Sequence, residues 1–312
     1  MSLSLIVFGG FYEPARHAVH YADTLAQALG ARLVLLHVNR ASQFDPYALM
    51  GESYRQQELA RQADATAALY RLVASLSTPT AVEIATDLLP AVAQQLAARY
   101  APALFVLGVP EADHPAAATL APACVELLRA GHFPLLLVPP GGATARVPHR
   151  FLIAADREPF ALAPAAQPLR HLLDQLATDV VVAHVTSGVE DDAGCGLAQR
   201  AVLDSGLAGG LVPELRGYEH DDYVEGLLAA VADTRADLVL LVARQRSYLG
   251  ELFHRSVTAR LLKRCPVPVL LLPAAAEAPP APPTAAENAA AARTATVAQV
   301  VNGVFTGLSP AS

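Results

Sequence analysis

One repeat distance governs the C-terminal part of each half of this chain. Leu104-Phe105-Val106-Leu107 aligns with Leu238-Val239-Leu240-Leu241, and Pro134-Leu135-Leu136-Leu137-Val138-Pro139 aligns with Pro268-Val269-Leu270-Leu271-Leu272-Pro273, both at an offset of 134. One register held across two separate segments marks a duplicated unit. Nearer the start of each copy, His37-Val38 aligns with His184-Val185 at an offset of 147. About 13 residues are therefore missing from the middle of the second copy, and its second helix is expected to be shorter.

The repeated unit alternates short apolar runs with helical periodicity. Leu5 to Phe8 is apolar and is followed by Gly9 and Gly10. From Pro14, Ala15, Ala18, Val19, Ala22, Leu25, Ala26 and Leu29 recur at helical spacing, with Pro14 fit for a first turn and Gly30 for a stop. Leu33 to Val38 is apolar enough to be buried on both faces, as a parallel strand is. The alternation continues with a helix near 52–75, a strand at 82–85, a helix at 89–100, a strand at 104–107, a helix at 122–130 and a strand at 135–138. Pro139, Pro140, Gly141 and Gly142 then break regular structure. The second copy predicts strands at 152–155, 180–185, 211–215, 238–242 and 267–272, separated by helices at 162–177, 197–204, 222–234 and 256–263. Strands and helices in strict alternation imply right-handed crossovers and two tandem α/β domains. Each is a five-stranded, Rossmann-like parallel sheet with helices on both faces.

The predicted domains span 1–140 and 150–273. Beyond them, 274–312 is rich in Ala and Pro and reads as a semi-extended tail. Composition narrows the function classes. Apolar residues make up 53% of 312, yet no uninterrupted run reaches the roughly 18 residues that cross a bilayer, so no membrane association is expected. The first ten residues carry no basic cluster or cleavage pattern, and Cys124, Cys195 and Cys265 form no CxxC pair; a reducing cytoplasm is the expected location. A net charge of −7 gives no electrostatic footprint for nucleic acid.

A strand ending in His-Val after the first helix, occurring twice, and a terminal Pro-x-Leu-Leu-x-Pro strand in each copy resemble the universal stress protein family over almost the whole chain to Pro273. The resemblance implies a five-stranded parallel fold and dimerisation about the last strand. Two copies in one chain then pack as an intramolecular pseudo-dimer, with a homodimer or an unidentified protein partner as further expectations. It also implies, for members that bind ATP, an Asp just after the first strand that reaches adenine. A Gly-x2-Gly-x9-Gly-[Ser/Thr] loop after the fourth strand then approaches the phosphates.

Against that pattern the first copy has Gly10 at the Asp position, and Gly108, Glu111, Ala121 and Pro122 in the loop. The second copy has Asp156, then Val242, Gln245, Arg255 and Ser256 with the x9 spacing retained. A side chain at each former glycine removes the close backbone approach to a triphosphate. Arg244, Arg246, His254 and Arg255 cluster about this loop, and Ser256 stands where it can cap the last helix, so Asp156, Arg244, Arg246, Arg255 and Ser256 are the candidate ligand residues. The resulting expectation is a non-catalytic, stress-associated regulatory or interaction protein with degenerate nucleotide loops and no required cofactor. The alternative is a binder of ATP or another adenine nucleotide through a single site in the second copy.

Other constellations have plainer readings. His17 and His20 share a helix face without accompanying ligands and read as surface residues; His37 and His184 end buried strands and read as partners of backbone groups. Glu219-His220-Asp221-Asp222 precedes a helix and reads as a cap. Gly194-Cys195-Gly196 lacks the third glycine of a dinucleotide fingerprint. No nucleophile elbow, P-loop or His-Glu-x-x-His motif occurs, so no catalytic machinery is expected.

Overall fold

A computed structural model of the chain describes residues 2–9, 13–38, 63–64, 66–85, 89–111, 117–141, 146–186, 193–244 and 257–275. The first copy contains β1 (Ser4–Phe8), α1 (Glu13–Leu29), β2 (Arg32–Val38), α2 (66–74), β3 (Thr80–Ala85), α3 (Leu89–Arg99), β4 (Ala103–Gly108), α4 (Ala117–Gly131) and β5 (Leu135–Val138). The second contains β6 (Arg150–Ala154), α5 (His171–Leu176), β7 (Asp179–Thr186), α6 (Ala193–Ser205), β8 (Glu214–Glu219), α7 (Tyr223–Thr234), β9 (Leu238–Ala243), α8 (Val257–Arg264) and β10 (Val269–Pro273).

All ten strands form one sheet in the order β3-β2-β1-β4-β5-β10-β9-β6-β7-β8. Within each copy every pairing between these strands is parallel; the copies join where β5 and β10 pair antiparallel, Leu136 opposite Leu270. The apolar runs predicted as buried strands are buried: Leu5, Ile6, Phe105, Val106, Leu152, Ile153, Val239 and Leu271 have essentially no exposed surface. Alternate strand residues feed two cores, one on each sheet face. Ile6, Phe105 and Val239 face one; Leu5, Val106 and Leu240 face the other. Among the described residues no helix is long and apolar enough to cross a membrane.

Local chemistry sets the helix ends. Gly30 adopts φ +59 after α1, a conformation that costs other residues. Asp222 accepts from the Val224 and Glu225 amides as the cap of α7, as the acidic cluster suggested. Gly226 lets α7 approach β7 closely, because a Cβ there would lie 2.5 Å from Val185 Cγ1. Cys124 and Cys265 are buried, and burial pushes their thiols up to about 12 and about 11, which leaves them inert.

Three predicted elements differ. Residues 162–166 are not helical: Leu162 bridges Ala274, Ala163 donates to Pro273 O, and Ala275 donates to Ala161 O. Pro164 and Pro168 cannot donate the amide bonds of a helix, so only a 3₁₀ turn at Gln167–Arg170 and the short α5 follow. The strand expected at 211–215 begins at Glu214, because Pro213 has no amide for the ladder. β8 is an edge strand, and the charged Glu214, Arg216 and Glu219 along it suit an edge. Helix α4 starts at Ala117 rather than Pro122, which sits inside the helix. The helix predicted near 52–75 is described only from residue 63, and the tail lies outside the described residues from 276.

Asp23 on α1 ties the first helix to the turn before β3, accepting from the Ser77 amide at 3.0 Å and the Thr78 amide at 2.8 Å. Burial alone would raise its pKa, but hydrogen bonds from Ser77, Thr78 and Gln27 outweigh that and hold the carboxyl below its ordinary 3.8. A depressed native value stabilises the fold above the unfolded pKa and loses that contribution as pH falls through the native value. Asp23→Ala is therefore expected to lower the urea midpoint at pH 7, and its difference from wild type should contract toward pH 3. An equal deficit at both pH values would refute the charged hydrogen bond as the cause.

Candidate ligand cleft in the second copy

In an open parallel sheet, ligands sit outside the carboxyl ends of strands where the strand order reverses. In the second copy that point lies at β6, which is flanked by β9 and β7. A cleft of about 360 Å³ opens there, lined by Ala154 at the end of β6, Ala155, Asp156 and Arg157 just after it, Ala183 to Val185 on β7, Tyr223 and Leu227 on α7, and Val257 at the start of α8.

The residues at matching strand ends differ between the two copies. Phe8 pairs with Leu36 at the ends of β1 and β2, and Ala154 pairs with Ala183 at the ends of β6 and β7, in each case one residue before the strand histidine. One layer deeper, Ile6 pairs with Phe105 and Leu152 with Val239. Phe8, Leu36 and Phe105 are thus replaced by Ala154, Ala183 and Val239. In the first copy the Phe8 and Phe105 rings stand 6.2 Å apart; in the second, smaller side chains stand at the matching positions, and two of them, Ala154 and Ala183, line the cleft.

His37 and His184 perform the same task in each copy. His37 Nδ1 lies 3.4 Å from Gly9 O and His184 Nδ1 2.9 Å from Ala155 O, so each ring secures the backbone leaving the first strand. A carbonyl only accepts, so His184 Nδ1 carries the proton. Its Nε2 is buried, without a hydrogen-bond partner among the described residues, against Gly194 in the first turn of α6.

Asp156 and Arg244, 88 residues apart, meet at the mouth. Arg244 Nη2 donates to Asp156 Oδ1 at 2.7 Å and to Glu158 O at 2.7 Å; Nε donates to Asp156 Oδ2 at 3.3 Å and Nη1 to Pro159 O at 3.1 Å. The Glu158 amide donates to Asp156 Oδ1 at 3.1 Å. The guanidinium thus fastens the loop after β6 to the end of β9 by a charge-assisted fork. Beside the cleft, Arg260 bonds Asp222 at 2.6 Å and holds that carboxyl below the usual carboxylate range. Arg264 pairs with Glu225 in the next turn.

Of the predicted site residues, the structure brings Asp156 and Arg244 together, while Arg246, Arg255 and Ser256 lie outside the described residues. The cleft-lining Ala154, Ala183, Tyr223 and Val257 were not anticipated. Aligning the copies position by position offers the signal, since small residues replace large ones at two strand ends. Among the described residues no group of His, Cys, Asp and Glu is arranged to hold a metal ion.

The sequence profile of the Universal stress protein family matches residues 6–139 and 149–273, one match in each copy. The chain belongs to the universal stress protein family. A universal stress protein from Archaeoglobus fulgidus DSM 4304 superposes with a TM-score of 0.62 at 13% identity, covering 86% of this chain and 97% of that one. A putative universal stress protein from Pseudomonas aeruginosa UCBPP-PA14 gives 0.45 at 16% identity, covering 87% and 93%. No curated protein matches the sequence. In this universal stress protein, both family-profile matches fall within the ten-stranded sheet, and the cleft belongs to the second.

Proposed function

We propose that this universal stress protein is a non-catalytic regulatory protein of the cytoplasm, in which the first copy is scaffold and the second holds one small-ligand cleft. The replacement of Phe8 and Leu36 by Ala154 and Ala183 carries the reading. It opens about 360 Å³, at the lower end of the roughly 300–1,000 Å³ of small-molecule sites. Mostly apolar walls, with Asp156, Arg157 and His184 as the charged or polar groups among them, suit binding more than bond-breaking. The strand-end histidine commits Nδ1 to a backbone carbonyl, and Asp156 is engaged by a guanidinium. Occupancy of the cleft would signal to a protein partner.

A second reading, an adenine-nucleotide binder with its single site in the second copy, is favoured by Asp156 at the cleft mouth. Isothermal titration with ATP, ADP, AMP and adenosine tests both readings. Under the nucleotide reading Asp156→Ala weakens binding at least about tenfold, the loss expected for a hydrogen bond to a charged group. Absence of heat and of ligand-induced melting shifts for all four would refute a nucleoside-sized ligand. ATP hydrolysis above the buffer rate would refute the non-catalytic assignment.

A further inference from the structure

Of the three cysteines, Cys124 and Cys265 are buried, and only Cys195 keeps part of its surface in solvent. It lies in the first turn of α6, with Sγ over Gly217 of β8, where a Cβ would come within 2.9 Å of the sulfur. Gly217 is the register partner of His184 on the neighbouring β7. Register partners in a parallel ladder turn their side chains to the same face, and adjacent strands run about 4.8 Å apart. The thiol and the imidazole therefore stand on one sheet face, above adjoining strands.

His184 meets the same turn of α6. A Cβ at Gly194, the residue before Cys195, would lie 3.0 Å from His184 Nε2 and 3.1 Å from Arg157 Cδ, so the glycine admits both side chains. The ring is only 4% exposed; Nδ1 donates to Ala155 O at 2.9 Å, and Nε2 keeps a bare lone pair with no hydrogen-bond partner among the described residues. An acceptor buried unpaired is costly and calls for an explanation. His184 and Arg157 also line the cleft, but α6 and α7 cover opposite faces: Val202 belongs to one core, Val224 and Leu227 to the other. Nε2 turns to the α6 side. A thiol, a base with an unused lone pair, and a carbonyl that fixes the tautomer of that base are the parts of an activated nucleophile. No hydrogen bond joins Sγ to Nε2, and such contacts commonly tighten only when the reagent arrives.

We propose that Cys195 is a peroxide-reactive thiol with His184 as its proton shuttle. The thiol proton passes to Nε2, the sulfur attacks one oxygen of hydrogen peroxide, the O–O bond breaks, and the imidazolium returns the proton to the departing hydroxide. Sulfur is oxidised by two electrons to a sulfenic acid, and the peroxide is reduced, one oxygen ending in S–OH and the other in water. The modification is stoichiometric and needs no ligand in the cleft. With Cys124 and Cys265 buried, the sulfenic acid condenses with a small soluble thiol to a reversible mixed disulfide.

The test compares two reactions of Cys195 in the full-length protein: sulfenic acid formation by hydrogen peroxide, trapped with dimedone and read by mass spectrometry, and alkylation by iodoacetamide. Iodide leaves without a proton and hydroxide does not, so the ratio of the two rates reports the shuttle, while exposure of the sulfur moves both. In wild type that ratio should exceed that of free cysteine about tenfold or more, below the roughly 10²–10⁴ a well-positioned acid–base group supplies. Cys195→Ala should trap no dimedone. His184→Asn keeps an N–H able to donate to Ala155 O and removes Nε2, and its ratio should fall about tenfold, to near that of free cysteine. Equal change of both rates in His184→Asn would mean that the ring only shapes the turn and would overturn the proposal. So would a wild-type ratio no higher than that of free cysteine, a comparison that needs no variant to fold, or trapping at Cys124 or Cys265 in place of Cys195.

Discussion

Ala154→Phe is expected to weaken adenosine binding at least about 100-fold, about 3 kcal/mol, while the variant melts within a few degrees of wild type. The substitution places in the second copy the side chain that Phe8 already contributes to the first, at a position matched by strand register. Ala154 lines the cleft, where an added ring takes volume a ligand would use. Overpacking a closed core costs about 1–3 kcal/mol, but this space is open to solvent and can receive a ring with less strain. Calorimetric titration beside thermal melting separates the two effects. Unchanged affinity in a well-folded variant would place the ligand elsewhere.

The largest loss of stability is expected from Phe105→Ala. Phe105 lies in the centre of β4 with no exposed surface, flanked by β1 and β5, with the Phe133 ring at 5.2 Å and the Phe8 ring at 6.2 Å. Truncating a fully buried Phe removes its transfer energy and leaves a cavity, about 3–5 kcal/mol together. For a unit of this size that corresponds to a fall in melting temperature of roughly 10 °C. Equilibrium urea unfolding gives the free energy directly, and Tyr70→Ala, at a side chain 60% exposed, should change it by no more than about 0.5 kcal/mol. A loss below about 1 kcal/mol for Phe105→Ala would contradict the packing of that sheet face.

The parts of the fold legible in the sequence are those fixed by strong local signals. Apolar runs such as Leu104 to Leu107 and Leu238 to Leu241 become central parallel strands because nothing else buries both faces of a short segment. Asp222 was readable as a cap because its job involves only the next three residues. Where the reading failed, a distant partner or a missing amide decided the outcome. The apolar periodicity of 162–166 loses to Pro164, Pro168 and the pairing with residues 273–275. Arg244 was visible as a cation near Asp156 in the family pattern, but not as its hydrogen-bond partner, since 88 residues separate them and only the sheet order brings β9 beside β6. The cleft was hidden because alanines carry no chemical signature; they acquire meaning only opposite Phe8 and Leu36.

The antiparallel joint between β5 and β10 has a consequence for divergence. In a symmetric homodimer built from a single gene product, every substitution appears in both protomers, so a side chain that closes one mouth closes the other. Here the joint is made within one polypeptide, and each rim of the sheet has its own residues to vary. Phe8 can brace one half while Ala154 hollows the other, and neither change constrains its counterpart. The covalent link thus permits a division of labour that a symmetric pair cannot adopt.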